Sequence, residues 1–304
     1  MTFNQLRTFV EVATAGSVID AARSLMVSAP AVSAAVGAIE KELGVPLVER
    51  AGRGLVITPA GVVFARYARQ VLALLETGKS ATAEALDPER GQLRLGAVTT
   101  AGEHVVPRFL ASFRARHPEA GITLEVGNRD RVWDALNHHG ADLAVGGRPP
   151  GGGRFVTLAT RPNVLVLVAA GTGKPSVREV DVATLARSVV LLREEGSGTR
   201  GTAEELLDEL GVDPRTLTLG SNGAIRESVQ VGLGITLISR DAVARELDEG
   251  TLEEWRVARS PRQRAWHVVA RANEHLPATA GLFLTHLVGA GAGGFTLVRE
   301  ASPG

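Results

Sequence analysis

No cysteine occurs among the 304 residues, which excludes disulfides, thiolate metal sites and cysteine nucleophiles. Net charge is also lacking, because 33 basic and 33 acidic side chains balance to zero at pH 7. Attraction to phosphate must then come from local arginine clusters and helix N-termini, not from an overall field. Long hydrophobic runs are missing too. No window approaches the roughly 18 uncharged apolar residues of a membrane span, so none is expected. The opening MTFNQLRTFVEVATAG has no basic stretch followed by an apolar run. No secretory leader is expected, and the absence of cysteine fits a reducing cytoplasm.

Catalytic signatures are equally scarce. Neither Gly-x-Ser-x-Gly nor His-Glu-x-x-His occurs. The seven histidines form no metal set. His138 and His139 are adjacent, so on a helix they point about 100° apart, the pattern of a solvated helix end. Gly171-Thr172-Gly173-Lys174-Pro175 lacks the first glycine of a phosphate-binding loop and puts proline after the lysine. Glu194-Glu195 leads into a glycine turn and reads as a loop-ordering pair. No enzyme, cofactor or metal is expected.

What is present is an ordinary globular composition, 44% apolar and 22% charged, in a chain long enough for two or three domains. Its most informative stretch is Ser28–Arg53, SAPAVSAAVGAIEKELGVPLVERAGR. Ser28 suits an N-cap and Pro30 a first helical turn. Val32, Val36, Ile39 and Leu43 form one buried face, and Gly44 a left-handed stop. The opposite face carries only small residues, Ala29, Ala31, Ser33, Ala34 and Gly37, so this helix can lie close against something large. Before it, residues 4–15 place Leu6, Phe9, Val10 and Ala13 on one face and stop at Gly16. Ser17 with Asp20 then starts a second helix over 18–25. After it, Leu47–Arg50 and Leu55–Thr58 flank Ala51-Gly52-Arg53-Gly54, a two-stranded wing with arginine at its tip. Two capped helices and a basic wing predict a winged helix-turn-helix that enters a DNA major groove.

Thr58-Pro59 starts another helix, which runs uninterrupted to about Leu86 and would span roughly 42 Å. Val62, Val63, Ala65, Ala68, Val71, Leu72, Leu74 and Leu75 stripe it, a pattern that predicts pairing with a copy of itself. Asp87-Pro88-Glu89-Arg90-Gly91 follows as a linker. Beyond Gly91, strands alternate with helices, which predicts a parallel, doubly wound sheet. The strands include Gln92–Val98, Ile122–Val126, Asp142–Gly146, Ser188–Arg193 and Ile235–Ile238. Phe155–Ala159 and Val164–Ala169 are expected as two strands split at Arg161-Pro162. The helices include His104–Arg116, Arg129–Asn137, Thr202–Glu209 and one from near Ala224. Some 210 residues of this kind suit two lobes with a cleft between them. The tail beyond Gly289 is expected to be flexible, with a short strand available at Phe295–Val298.

The segment AGSVIDAARSLMVSAPAVSAAVGAIEKELGVPLVERAGRGLVITPAG resembles the LysR-type transcriptional regulators, and the resemblance extends over the whole chain. It implies an all-α winged helix-turn-helix over 1–58, a linker and dimerisation helix over 59–90, and an effector domain over 91–304. The effector domain would be α/β, two-lobed and periplasmic-binding-protein-like. Lobe I would comprise 91–161 and 266–304 and lobe II 162–265, with crossovers near Thr160–Pro162 and Arg264–His267. The implied partners are promoter DNA, further copies of the chain as dimer or tetramer, and RNA polymerase as a candidate. LGAVTTAGEHVVP, DLAVGGRPP, LLREEGSGTR and LGSNGAIRESVQVGLGITLISR resemble the RuBisCO-operon and sulfur-assimilation branch, which implies a small anionic or phosphorylated effector. Family members usually carry glutamine at the position of Ala29 and larger polar residues near Ala34 and Ala35. Direct base readout is therefore thin here. Ser28, Ala29, Pro30, Ser33 and Ala34 with Arg50 and Arg53 are the candidate DNA contacts, helped by DNA shape.

Three strand-to-helix turns converge on a candidate effector site: Thr99-Thr100, Gly196-Ser197-Gly198-Thr199 and Ser221-Asn222. They sit at strand C-terminal ends, where α/β sheets bind ligands. The resemblance adds the strand end at Gly146 and Arg148. Gly196-Ser197-Gly198-Thr199-Arg200-Gly201 also spells GxGxxG, so the rival reading is an NAD(P)-binding oxidoreductase. Against it, Asp213 lies in a turn and not at a second strand end. A periplasmic solute-binding protein would share the two lobes but not the N-terminal domain or the missing leader.

Overall fold

The computed structural model describes residues 1–51, 54–84, 87, 90–291 and 293–298. It forms two compact units, Met1–Ala83 with His138–Gly140, and Glu84–Asn137 with Ala141–Gly304. Among the described residues no single helix is long and apolar enough to cross a membrane.

In the first unit, α1 (Phe3–Ala15) opens with a capping box. Thr2 Oγ1 accepts the Gln5 amide and Gln5 Oε1 accepts that of Thr2. Ser17 caps α2 (Val18–Ser24), and Ser28 caps α3 (Ala29–Leu43) through the amide of Ala31. Gly44 ends α3 at φ 71°, the left-handed stop. β1 (Val48–Ala51) and β2 (Gly54–Ile57) pair antiparallel, with Arg50 opposite Leu55. Phe9, Val12, Val32, Val36, Ile39 and Leu47 make the core. The buried faces are shifted from expectation. In α1 Val12 is fully buried, Ala13 packs half-buried beside it and Val10 is not in the core, and Leu43 is exposed because the chain turns away at Gly44. Helix α4 (Pro59–Glu84) divides its apolar stripe. Ala65 and Ala68 are buried, whereas Val62, Val63, Tyr67, Val71 and Leu74 are exposed.

The second unit runs β3 (Gln92–Val98), α5 (Thr99–His104), α6 (Val106–Arg116), β4 (Gly121–Gly127), α7 (Arg129–Asn137) and β5 (Leu143–Gly146). There follow β6 (Phe155–Ala170), β7 (Val177–Glu179), α8 (Val182–Arg187), β8 (Val189–Leu192), α9 (Gly198–Leu210), β9 (Arg215–Thr218) and α10 (Asn222–Gln230). The last elements are β10 (Thr236–Ser239), α11 (Arg240–Glu249), β11 (Leu252–Arg256), β12 (Arg262–Arg271), α12 (Ala278–Gly289) and β13 (Thr296–Leu297).

The main sheet is mixed, not the parallel doubly wound sheet expected. Its path is β4-β3-β5-β12-β6-β11-β7, with β10 and β13 also on β6. β4, β3 and β5 are parallel, but β12 is antiparallel to both β5 and β6. Arg161-Pro162 does not split β6, which runs unbroken for 16 residues. Pro162 pairs with Ala265 of β12. On the other side of β6, β13 stops at Thr160 and β10 begins at Leu165. Proline is tolerated in a strand where one side is unladdered.

β6 and β12 carry the chain between two lobes. Lobe I packs Leu93, Leu95, Phe109, Phe113, Leu143 and Phe283 around β3–β5. Lobe II has two clusters, centred on Leu167, Leu192 and Leu206 and on Val166, Ile225 and Val243. Helix α11 and strand β7 have no counterpart in the expected elements. The tail is tied down at first, since Phe295 is 3% exposed and stacks edge-on to Phe109 at 5.7 Å. Residues 299–304, like Arg53, Gly52, Pro88 and Glu89, lie outside the described residues.

Candidate functional site

A cavity of about 750 Å³ lies between the lobes. Lobe I contributes Thr99, Thr100, Asn128, Arg129 and Arg148, and lobe II contributes Arg193, Glu194, Ser197 and Thr199. The crossing strands add Asn163, Arg264, Trp266 and His267.

The expected residues take unequal places. Thr99 and Thr100 do not precede a helix that starts near Glu103. They form the first turn of α5, and a break at Val105 separates it from α6. Thr99 Oγ1 donates to the Gly127 carbonyl at 3.2 Å. Helix α9 likewise starts at Gly198, four residues before Thr202, so Ser197 sits at the N-cap position. Its hydroxyl makes no capping bond, and the first residues of this 13-residue helix, Gly198 and Thr199, line the cavity. Gly146 does not line the cavity. A Cβ there would meet Val98 and Trp133 in lobe I at 3.1–3.4 Å, whereas Gly147 and Arg148 reach the cavity wall. Asn222 is also behind the wall, 2% exposed, because α10 starts at this residue and turns it inward.

Asn222 nevertheless joins the two lobes. Its Nδ2 donates to Thr100 Oγ1 at 3.0 Å while its Oδ1 accepts from Arg193. Sequence reasoning missed Arg193, Arg129, Arg264 and His267. For Arg193 a signal existed: a lone charge closing the apolar run Val189–Leu192 at a strand end.

Charge in the cavity favours anions. Arg129, Arg148, Arg193 and Arg264 face only Glu194 and Glu205. Glu194 pairs with Arg193, and Glu205 with Arg264. Arg129 Nη2 donates to the carbonyl of Arg148 at 2.8 Å. Burial, and then the nearby Arg148, lower the pKa of His267, which leaves it neutral at neutral pH. For Glu194, burial works to raise the pKa, but the hydrogen bonds from Arg193 outweigh it and the carboxyl stays ionised.

On the first unit, Pro30, Ser33, Ala34 and Gly37 are exposed at helical spacing along α3, with Ser28 at its start. Ala29 does not join that face, because it packs against the domain core. Arg50 lies in β1. Over its first two turns this face is bare of long side chains, and Lys41 is the exposed cation in the last turn of α3.

Residues 3–62 match the bacterial regulatory helix-turn-helix protein family of lysR type, and residues 86–292 the LysR substrate binding domain. The chain belongs to the LysR family. It is a DNA-binding transcriptional regulator with an effector-binding domain, and its relatives are regulators, not enzymes. It is 36% identical to the HTH-type transcriptional regulator CbbR of Rhodospirillum rubrum over 93% of this chain and 94% of that one. It is 33% identical to the RuBisCO operon transcriptional regulator of Allochromatium vinosum, again over 93% and 94%. Among solved structures, the regulatory domain of CcmR from Synechocystis, in complex with 2-PG, is 28% identical with a TM-score of 0.60. That match covers 66% of this chain and 96% of the other. The relatives of this regulator are not oxidoreductases, so the GSGTRG turn belongs to the effector domain and not to an NAD(P)-dependent enzyme. Gly198 and Gly201 are inside α9, and β8 pairs parallel with β9 and bridges through Val190 to Ile235.

Proposed function

We propose that this LysR-type regulator senses a small, phosphorylated or otherwise anionic metabolite held between its lobes. The observation that carries the reading is the excess of arginine in the cavity, four guanidinium groups against two carboxylates. Thr100, Ser197 and Thr199 would supply hydroxyl donors to the same ligand, and the α9 N-terminus backbone donors, while Thr99, whose hydroxyl donates to Gly127, would line the site beside them. Arg148 would add a fixed charge. The complex of the related CcmR domain with 2-PG supports a phosphorylated ligand.

DNA would meet the exposed face of α3, Ser28, Pro30, Ser33 and Ala34, with the wing arginines Arg50 and Arg53 on phosphate. Two copies would pair along the exposed Val63, Tyr67, Val71 and Leu74 of α4. The assembly would work in the cytoplasm, where RNA polymerase is available to it. The domain limits 1–58, 59–90 and 91–304 would divide these tasks.

Anisotropy of labelled DNA from upstream of the gene tests the reading, at two salt concentrations and with a panel of sugar phosphates, 2-phosphoglycolate and sulfate. Tight, salt-sensitive binding that one phosphorylated compound shifts is the expected result. DNA binding that responds to none of these anions would overturn the anionic reading.

A further inference from the structure

Arg193 directly follows the apolar strand β8, is 5% exposed, and still lines the cavity. Its guanidinium serves two masters. Nη1 donates to Asn222 and so connects, through Asn222, to Thr100 of the opposite lobe. Nε and Nη2 donate to the two carboxylate oxygens of Glu194 at 2.6 and 2.7 Å. This two-pronged contact is how arginine grips a free carboxylate or phosphate. Glu194 itself belongs to the loop before α9 and lines the same cavity. No helix or strand holds its carboxylate where it is.

We propose that Glu194 is a resident stand-in for the effector: its carboxylate occupies the fork of Arg193, and the acid group of an incoming ligand takes that fork by displacing it. The inference rests on the anionic reading of the cleft. The bond from Nη1 to Asn222 survives such an exchange, because it uses a different nitrogen. Ligand affinity is then a difference between two anion contacts, which sets a threshold and selects by charge. A phosphate, with more charge and a third oxygen, competes better than a single carboxylate. The other cavity carboxylate, Glu205, pairs with Arg264 and touches no part of this fork. It shares the field of Glu194 without sharing its contact.

The test is calorimetric titration of the full-length protein with 2-phosphoglycolate and with inorganic phosphate. Glu194→Gln keeps the shape of the side chain, and Glu194→Ala removes it; Glu205→Gln is the control for charge alone. Both Glu194 variants are expected to bind at least one probe about tenfold more tightly, the scale of one charge-assisted contact. Glu205→Gln is expected to gain less than about threefold, since only the screened field changes. Equal gains in the Glu194 and Glu205 variants would reduce the effect to field and overturn the proposal. So would unchanged or weaker binding in both Glu194 variants, with the wild type binding normally. If no protein in the set binds either probe, the anionic reading falls and this inference falls with it.

Discussion

Asn222 donates through Nδ2 to the hydroxyl of Thr100 at 3.0 Å, and the two residues belong to opposite lobes. Both are buried, at 2% and 6% exposure. Arg193 donates to the other end of the same amide, which orients it, because a guanidinium can only be met by the amide oxygen. The lobes are thus connected behind the cavity by a polar chain that begins at a cavity arginine.

Asn222→Ala leaves the Arg193 Nη1 and the Thr100 hydroxyl without their buried partner. The expected cost is about 1–3 kcal/mol. All three tryptophans, Trp133, Trp255 and Trp266, lie in the effector unit, so urea unfolding followed by tryptophan fluorescence reads that unit. The midpoint should fall with the slope unchanged. An unmoved midpoint would mean that water replaces the amide at no cost.

Asp241 begins the turn of α11 against the crossing strands. Arg161 of β6 donates to its two oxygens at 2.9 and 2.8 Å, and Trp266 Nε1 of β12 donates at 2.9 Å. Burial works to raise its pKa, but the bonds from Arg161 and Trp266 outweigh it and hold the carboxyl below its usual value. A depressed pKa stabilises the fold above the unfolded value, near pH 4, and the gain disappears as pH falls through the lower, folded value. Asp241→Asn should cost about 2 kcal/mol at pH 7. The gap between wild type and variant should be flat above about pH 5 and narrow below pH 4. A gap that widens with acid would contradict the assignment.

Gly61 sits where the wing meets α4. Thr58 Oγ1 accepts the Gly61 amide and donates to the Pro46 carbonyl, both at 2.9 Å. A Cβ at Gly61 would collide with the Leu47 carbonyl oxygen and lie 2.8 Å from Ile57 Cγ2. Gly61→Ala should destabilise the DNA-binding unit by about 1–3 kcal/mol or more, lowering its thermal transition and its affinity for all DNA sequences. Wild-type DNA affinity at the same temperature would show that the junction relaxes freely.

Thr199 and Thr99 test the cavity differently. Thr99 already spends its hydroxyl on Gly127, so its replacement combines a local cost with any loss of ligand contact. Thr199, in the first turn of α9 on the cavity wall, is the cleaner probe. Thr199→Ala should weaken the effector's influence on DNA binding about tenfold, the worth of one hydrogen bond to a charged group, and leave effector-free DNA affinity unchanged. An unaltered dose-response curve would remove Thr199 from the site.

Local signals made most elements legible. Ser28 and Gly44 bracket α3 because a hydroxyl cap and a left-handed glycine act within four residues of the helix end. Arg129–Asn137 and Gln92–Val98 follow from one-sided and two-sided burial. Expectation failed where a distant partner decides. Pro162 reads as a break, yet β12 and the gap between β13 and β10 let β6 pass through it. Thr99 and Gly198 read as loop, yet both are helical, because glycines and β-branched threonines carry little helix signal of their own.

The chain alone determined the order of its parts: a capped helix-turn-helix, a wing, a long apolar-striped helix, and an α/β region with polar residues at its strand ends. Those follow from caps, periodicity and turn chemistry, which are local in sequence. Tertiary structure decided which polar residues meet. It brought Thr100, Arg193 and Asn222 together over separations of up to 122 residues, and it turned Gly146 and Asn222 away from the cavity. Pairings of this kind depend on where the two crossing strands place each lobe, and no local pattern encodes that distance.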